Sequence, residues 1–356
     1  MSGIFVCGLG AVSPAGWDLD ALRAALHTQA PTPPATVARP APGPPLPARL
    51  VPPPATRPAF FAHPRLRRAS PITQYAAGAS LEASGGVAGS GGPGRRLGLV
   101  VCLQSGCVQY SARFFEETLR DPLTASPLVF PETVFGAPAS HIATLLENVT
   151  LATTLVGDPA CFLQGVALAA DWLQDQRVDA CLVVGAEESH WLRGDALRHF
   201  QRAAVMSSGA GALCLATDPS LSLGVELAAI TDAHTFSAVL SRNAAAHAMR
   251  AQLPPGSPAE LLCDSRDDSP RLDAAEQGAW EDWPGRRVSL KQLLGEGLMA
   301  AAAWQCVAAC DAVARGDAPA AVVSLVGCDQ QAIGARFVAG RRLTPPSSDA
   351  PARDLA

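Results

Sequence analysis

The chain contains almost no lysine. Its 27 basic side chains are 26 arginines and a single lysine, Lys291, in a chain of 356 residues. A GC-rich genome favours arginine codons over lysine codons, so the shortage alone excludes no function. It raises a question about position 291, because an ammonium and a guanidinium differ in shape, hydration and hydrogen-bond geometry.

Positive charge in excess is also absent. The basic side chains face 32 acidic ones, which gives a formal net charge of −5, and no basic tail or stripe is visible. Nucleic-acid binding is therefore not predicted. Charged residues make up only 17% of the chain and hydrophobic residues 48%. That composition excludes a disordered protein and predicts a large buried core, in one large domain or two halves.

Targeting segments and paired cysteines are missing as well. The first ten residues have no basic region, and Gly3, Gly8 and Gly10 interrupt their apolar run, so no signal peptide is predicted. No uninterrupted apolar stretch of about 18 residues predicts a membrane span. The ten cysteines include no C-x-x-C motif. We therefore expect a cytoplasmic protein with reduced, buried thiols, and neither a disulfide framework nor a zinc site.

A dinucleotide cofactor is not predicted either. Gly8-Leu9-Gly10 begins a G-x-G-x-x-G pattern, but Ser13 occupies the third glycine position and Pro14 follows it. Instead, we expect a first strand over residues 3–7 that ends in a turn at these glycines. No cofactor and no metal are expected.

The remaining pattern predicts a layered α/β fold. Continuous apolar runs, typical of strands buried on both faces, occupy residues 97–103, 180–184, 211–216 and 320–326. Helices are predicted over residues 18–27, 162–176 and 296–314. Two successive strand–helix sets of similar size indicate an internal duplication.

Prolines crowd residues 31–58, which predicts an extended surface excursion of polyproline character without regular elements. The Pro/Ser-rich residues 341–356 predict a disordered tail.

Cys161 is the cysteine whose position carries most information. It follows Asp158-Pro159-Ala160 and precedes a predicted helix. Unpaired N–H groups and the positive end of the helix dipole favour a thiolate at such a position. The alternative role is that of a small buried hydrophobic residue.

Five segments together point to one family. They are VCGLGAVSPAG (Val6–Gly16), DPACFLQGVALAADWL (Asp158–Leu173), VVGAEES (Val183–Ser189), SSGAGALCLA (Ser207–Ala216) and SLKQLLGEGLMAAAA (Ser289–Ala303). With these segments in this order, the chain resembles the β-ketoacyl-acyl-carrier-protein synthases of the thiolase-like superfamily over roughly residues 3–337. The resemblance implies an α/β thiolase-like fold with five layers, αβαβα, and it implies dimers. Its two pseudo-duplicated halves would span residues 1–220 and 221–340.

The resemblance also implies a catalytic cysteine and two histidines. By motif position, Cys161 matches the nucleophile that takes the acyl chain from its carrier protein. The two histidine positions fall on Ser265 and on Glu296, while Lys291 keeps the lysine of the family's Lys-x-x-x-Gly-His motif. That lysine usually organises the active site through hydrogen bonds. All seven histidines of the chain lie at or before residue 247, so a shifted alignment would not supply the missing pair.

These replacements bear on the family reaction. Decarboxylation of a malonyl thioester builds negative charge on an enolate oxygen, which imidazole N–H donors stabilise. An ionised Glu296 only accepts hydrogen bonds and would repel the enolate, and Ser265 has no pKa near neutrality. Two structural roles are open to Glu296: stabilising the N-terminus of the helix predicted to begin there, or forming an ion pair with Lys291.

Further candidate residues follow from the same resemblance. A Phe-Gly-Phe-Gly-Gly-like turn, whose phenylalanine gates the acyl pocket in the family, is replaced by Leu325–Gln330. Glu187 matches an acid that is usually structural. His190 and Trp191 are candidates to line a pocket or simply to pack, and His141 is expected to cap or pack. Five arginines could bind an acidic carrier protein or be ordinary solvated surface: Arg65, Arg67, Arg68, Arg286 and Arg287.

Several functions remain open. The first is a chain-length-factor-like subunit of a type II fatty acid or polyketide system, an aryl-polyene system among them, that does not decarboxylate malonyl thioesters by itself. Its partners would be an active ketosynthase in a heterodimer, with a homodimer as the alternative, and an acyl carrier protein with a phosphopantetheine-linked acyl chain. The second is a Cys161-dependent acyltransferase or thioesterase assisted by Glu296 or Ser265. The third is an active ketosynthase with unorthodox residues, and a scaffold without acyl chemistry is the remaining option.

Overall fold

The computed structural model describes residues 3–40, 43–88, 95–237, 241–328 and 330–340. The predicted tail, most of the Gly/Ser-rich stretch at 85–94, and Asp329 lie outside them. The helices are α1 (Leu19–Thr28), α2 (Pro71–Ala88), α3 (Val108–Arg120), α4 (Ala137–Leu146), α5 (Cys161–Gln174), α6 (Trp191–Phe200), α7 (Arg242–Ala251), α8 (Pro270–Ala279), α9 (Leu290–Leu294) and α10 (Met299–Ala314). The strands are β1 (Phe5–Val12), β2 (Ala35–Val37), β3 (Leu46–Arg49), β4 (Leu97–Leu103), β5 (Val149–Val156), β6 (Ala180–Glu187), β7 (Met206–Ser207), β8 (Gly209–Ala216), β9 (Val225–Ile230), β10 (His234–Thr235), β11 (Leu261–Asp264), β12 (Arg286–Ser289), β13 (Ala320–Val326) and β14 (Gln331–Ala339).

Ten of these strands form two sets with the same topology. The first set, called the first sheet below, has the order β1-β8-β6-β4-β5. The second set, called the second sheet, has the order β9-β14-β13-β11-β12. In both sets the first three strands pair antiparallel and the last three pair parallel. A short antiparallel contact between β1 and β9 joins the sets. The predicted internal duplication is therefore confirmed, whereas the boundary at residue 220 stays a prediction.

Three clusters of buried side chains hold the sheets and helices together in five layers. One cluster packs α2 and α4 against the outer face of the first sheet. A second fills the space between the sheets with α5 and α10. The third packs α7 and α8 against the outer face of the second sheet. This succession of helix, sheet, helix, sheet and helix layers is the expected αβαβα architecture.

The turn predicted at Gly8-Leu9-Gly10 was wrong, because β1 continues through it to Val12. The glycines serve the packing of α2 instead. A Cβ atom added to Gly8 would lie 1.7 Å from the carbonyl oxygen of Ala83, and one added to Gly10 would lie 2.0 Å from that of Ala79. The backbone of α2 thus rests directly on the strand, at a distance that only glycine permits.

The expectation that residues 31–58 hold no regular element was also wrong. Strands β2 and β3 pair antiparallel there, and β3 pairs parallel with β7. Pro47 lies within β3, but its neighbours Ala48 and Arg49 make the ladder to β7. Ala48 is buried in one cluster with Leu197 and Met206, and Leu46 is buried as well, which holds the strand in place despite its proline.

Three further observations concern the described residues as a whole. None of their helices is long and apolar enough to cross a membrane. Among the same residues, no group of three or more His, Cys, Asp or Glu side chains is placed to hold a metal ion. All ten cysteines are thiols rather than disulfides, and nine of them are buried.

The close approach of α2 to β1 predicts the effect of Gly8→Ala. The added methyl group would overlap the carbonyl of Ala83, and such overpacking typically lowers the free energy of unfolding by about 1–3 kcal/mol. Denaturant titration of both proteins measures the difference. Gly136→Ala is the matched control, since nothing lies within 4 Å of a Cβ atom at Gly136. Equal stability of the two variants would contradict the packing argument.

Candidate functional site

The candidate site is built at the N-termini of the two central helices. Cys161 is the first residue of α5, and its backbone N–H donates to the carbonyl of Asp158 at 2.8 Å. The residue is buried within the core between the sheets. Burial and then the nearby Asp158 carboxylate raise the pKa of the Cys161 thiol to about 11. Both effects disfavour the thiolate that the helix N-terminus would favour, so the thiolate stays a prediction.

Asp158 connects this helix to the loop that follows β13. Its Oδ2 accepts the backbone N–H groups of Gln330 and Gln331, both at 3.2 Å, and its Oδ1 accepts the side-chain amide of Gln331 at 3.3 Å. Gly327 packs so tightly against the carboxylate that a Cβ atom there would lie 1.8 Å from Oδ2. The described residues after β13 are therefore tied to the segment that begins α5.

Ser265 directly follows β11, and both its hydroxyl and its backbone N–H form hydrogen bonds. Its hydroxyl donates to the carbonyl of Ser324 in β13 at 2.8 Å, and its backbone N–H donates to Glu276 Oε2 at 3.0 Å. The side-chain amide of Gln305 on α10 donates back to Ser265 Oγ at 3.4 Å. The hydroxyl proton is thus committed to a structural hydrogen bond between two strands.

Glu296 and Lys291 form a buried ion pair. Lys291 Nζ donates to Glu296 Oε2 at 2.6 Å, and the side chains are only 5% and 0% exposed. The other carboxylate oxygen, Oε1, accepts the backbone N–H of Leu298 at 2.6 Å. The ion pair that the sequence left open is therefore present. The helix start predicted at Glu296 was wrong, because Leu298, with a φ of 47°, separates Glu296 from the first residue of α10.

The charges around this pair keep Lys291 protonated. Burial disfavours the ammonium, but the carboxylates of Glu296 and Asp267 outweigh it and hold the pKa of Lys291 above its ordinary value. Burial, followed by the charge of Glu296, raises the pKa of Asp267 to about 6. Asp267 Oδ2 is buried and has no hydrogen-bond partner among the described residues.

The other sequence candidates divide between structural and exposed positions. Glu187, at the end of β6, accepts the backbone N–H groups of Gln104 at 2.6 Å and Ser105 at 3.2 Å, a structural role. His190 caps α6, and its ring lies 5.7 Å from that of Trp191. His141 Nε2 lies 2.9 Å from Glu132 Oε1.

The five arginines do not form one surface. Arg65, Arg67 and Arg68 lie exposed on the short 3₁₀ helix Pro64–Arg68, which precedes α2. Arg286 and Arg287 begin β12, at the far edge of the second sheet. The two groups therefore belong to different halves of the fold.

Sequence reasoning missed Arg193, which is buried beside the candidate site. Its guanidinium donates to three backbone carbonyls, those of Glu188 at 3.0 Å, Ser207 at 2.6 Å and Glu296 at 2.8 Å. The segment of α6 around it has the mixed polarity of a surface helix, so no sequence signal distinguishes this arginine. These hydrogen bonds fix the backbone at Glu296.

Comparison with known proteins places the fold. No family model matches the sequence, and no curated protein matches it. Among solved structures, the ishigamide ketosynthase/chain length factor has a TM-score of 0.80 at 18% identity, covering 96% of this chain and 100% of that one. The ketosynthase ApeO in complex with its chain length factor ApeC, from Xenorhabdus doucetiae, gives 0.76 at 13% identity, covering 95% and 98%.

A third similar structure is a type II polyketide ketosynthase bound to the hexaketide, in complex with its acyl-carrier protein. Its TM-score is 0.75 at 15% identity, covering 95% of this chain and 100% of that one. At these identities the likeness establishes the fold, which is the thiolase-like fold of ketosynthases and chain length factors. The resemblance read from the five sequence segments is confirmed at that level.

The buried pair predicts strong coupling between Lys291 and Glu296. Lys291→Met and Glu296→Gln should each lower the free energy of unfolding by about 3–5 kcal/mol, since each leaves a buried charge unpaired. Glu296→Gln keeps a carbonyl oxygen for the N–H of Leu298, so it isolates the loss of charge. The double variant should lose clearly less than the two single losses added together. Denaturant titration of the three variants checks this, and additive losses would show that the pair is not coupled.

The raised thiol pKa predicts slow alkylation of Cys161 at neutral pH. Labelling by iodoacetamide, followed at the Cys161 peptide by mass spectrometry, should accelerate continuously as the pH rises toward about 11. In the unfolded protein the same peptide should titrate near about 8.5, the ordinary value of a cysteine. A labelling rate in the folded protein that reaches its plateau below pH 8 would reveal a stabilised thiolate instead.

Proposed function

We propose that the protein is a chain-length-factor-like subunit of a type II fatty acid or polyketide system, and that it does not decarboxylate malonyl thioesters by itself. The observation that carries the proposal is the state of the two histidine positions. Ser265 donates its hydroxyl proton to the carbonyl of Ser324, and Glu296 is bonded to Lys291 and to the N–H of Leu298. Both side chains support the fold and leave no donor for a reacting oxygen.

The chemistry of decarboxylation gives a second argument for an inactive site. Loss of one donor to a developing oxyanion typically slows a reaction by about 100- to 1,000-fold. Here both positions lack an available donor, and burial together with the Asp158 carboxylate raises the pKa of the Cys161 thiol to about 11. A thiol that stays protonated at neutral pH is a weak nucleophile. These observations support an inactive site more than an unorthodox active one.

An exposed apolar surface supports a protein partner. Large side chains lie open to solvent on α3 and in the segment after it, including Phe115 at 63%, Leu119 at 71% and Leu123 at 95% exposure. Phe114 and Phe130 pack at 5.3 Å, which joins the helix to that segment. Exposed apolar surface of this kind marks interaction sites in soluble proteins.

The edge of the first sheet adds to that argument. Strand β5 ends the sheet and pairs on one side only, with β4, among the described strands. A long edge strand without charged side chains invites pairing with another chain. An active ketosynthase with a complete catalytic set is the partner proposed here, and a second copy of this chain is the alternative.

The acyl carrier protein is the second proposed partner. Arg65, Arg67 and Arg68 present three exposed guanidinium groups, and none of them is in a salt bridge within the described part of the chain. Such a cluster complements an acidic protein surface and would accelerate encounter with it. The phosphopantetheine-linked acyl chain would then be presented to the pair of subunits.

A Cys161-dependent acyltransferase or thioesterase is the second candidate function. It is favoured by the retained cysteine at the start of α5, a position that acyl transfer without decarboxylation could use. It requires the thiol to lose its proton on substrate binding, because burial and Asp158 oppose the thiolate in the free protein.

The proposal predicts that the purified chain alone releases no carbon dioxide from malonyl-acyl-carrier protein. It should also form no acyl adduct detectable by intact mass after incubation with acyl-carrier protein. An adduct that disappears in Cys161→Ala would favour the acyltransferase function. Malonyl turnover by this chain alone would overturn the proposal and identify an unorthodox synthase.

The same proposal expects activity to appear only in a complex. Co-expression with a ketosynthase that has the cysteine and both histidines should yield a heterodimer that elongates acyl chains. Leu119→Asp should weaken co-purification of the two subunits, whereas Leu192→Asp, an exposed leucine on α6, should not. A complex that forms equally well with both variants would rule out the α3 surface as the interface.

A further inference from the structure

A groove lies between the proline-rich segment and the C-terminal end of α6. Two neighbouring cavities form it, with volumes of about 280 and 500 Å³. Pro44, Arg198 and Arg202 line both cavities, so the two are continuous at these residues. Cys161 and Glu296 line neither of them. The groove is therefore separate from the candidate site.

The smaller cavity is apolar apart from its two arginines. Pro45 and Pro47 of the proline-rich segment line it, together with Leu197 of α6 and Ala204 and Met206, which follow that helix. The last three side chains belong to one buried cluster, so their positions are fixed by packing. Proline has a fixed φ, so the facing segment loses little conformational freedom when a ligand binds.

The larger cavity is basic. Arg39, Arg198, His199 and Arg202 line it, and Asp195 is the one acidic residue in its lining. Arg39 Nη2 lies 2.9 Å from Asp195 Oδ2, so this carboxylate is already paired. The exposed side chains of Arg198 and Arg202 make no hydrogen bond or salt bridge with any residue that the structure describes.

The sequence around the groove leaves this charge without compensation. Residues 21–81, which include the proline-rich segment, contain no Asp or Glu, and neither do residues 196–217. Three arginines against Asp195 leave two positive charges in excess in the lining. The C-terminal end of α6 offsets roughly half a charge. A ligand matched to the groove would carry more than one negative charge next to a small apolar body.

We propose that the groove binds a small phosphate monoester, with Arg198 and Arg202 holding the phosphate and the smaller cavity holding an apolar body. A phosphate monoester carries a charge of about −1.5 to −2 near neutral pH, which matches the excess of positive charge, whereas a carboxylate carries only one. Guanidinium forks bind phosphate oxygens in bidentate geometry. The proposal does not depend on the function proposed above.

Isothermal titration calorimetry of the full chain with phenyl phosphate tests the proposal. One molecule should bind per chain. Inorganic phosphate should bind at least about tenfold more weakly, because it leaves the apolar cavity empty, and phenol, which lacks the phosphate, should not bind. The double variant Arg198→Gln/Arg202→Gln should weaken binding of phenyl phosphate by at least about tenfold, since charged hydrogen bonds are lost.

A matched control separates the groove from a general effect of charge. Arg120→Gln/Arg271→Gln removes two exposed arginines that line neither cavity and should keep the affinity. Thermal unfolding of each variant first establishes that it is folded.

Four results would overturn the proposal. They are unchanged affinity in the folded variant Arg198→Gln/Arg202→Gln, an equal loss in the control variant, no binding of phenyl phosphate at millimolar concentration, and equal affinity for phenyl phosphate and inorganic phosphate. Tighter binding of benzoate than of phenyl phosphate, with the same dependence on Arg198 and Arg202, would overturn the phosphate class in favour of a carboxylate.

Discussion

The burial of α10 between the two sheets is the constraint on which the rest of the site depends. All but two of its sixteen residues are buried. The helix lies so close to β8 that a Cβ atom at Gly211 would approach the Cβ of Ala303 to 2.8 Å. Trp304 donates its indole N–H to the carbonyls of Val12 and Ala210, which fastens the helix to the first sheet. The alanine-rich sequence of α10 is thus required by its position.

A helix that is buried on all sides also has a buried N-terminus, whose N–H groups need acceptors. Glu296 supplies one of them through its contact with the N–H of Leu298. A carboxylate in that position needs a cation, which Lys291 provides. A guanidinium has five donors in a rigid fork, so arginine would leave more buried N–H groups without partners than lysine does. This accounts for a lysine at the one position where the chain has kept it.

The parts of this arrangement that were predictable share a simple physical basis. The apolar runs of β4 and β13 and the pattern of α5 follow from their burial. The assignment of Cys161, Ser265 and Glu296 to catalytic positions rests on motif order alone and stays a prediction. The contacts that define the site were not predictable in the same way. Gly8 reads as a turn residue until the backbone of α2 is placed against it, and Arg193 reads as a surface residue. Both depend on segments distant in sequence, which local patterns do not encode.

Three side chains of the candidate site link elements of the fold. Ser265 joins β11 to β13, Glu296 joins α9 to the start of α10, and Asp158 joins α5 to the loop after β13. A catalytic donor has to be oriented toward the charge that develops in a transition state, so it must be available in the resting protein. A side chain that already satisfies a buried neighbour is not available, and removing it exposes that neighbour to the cost of an unmade hydrogen bond. Under the proposed function, the contacts that stabilise this fold would oppose decarboxylation within it, and a partner subunit would supply that chemistry.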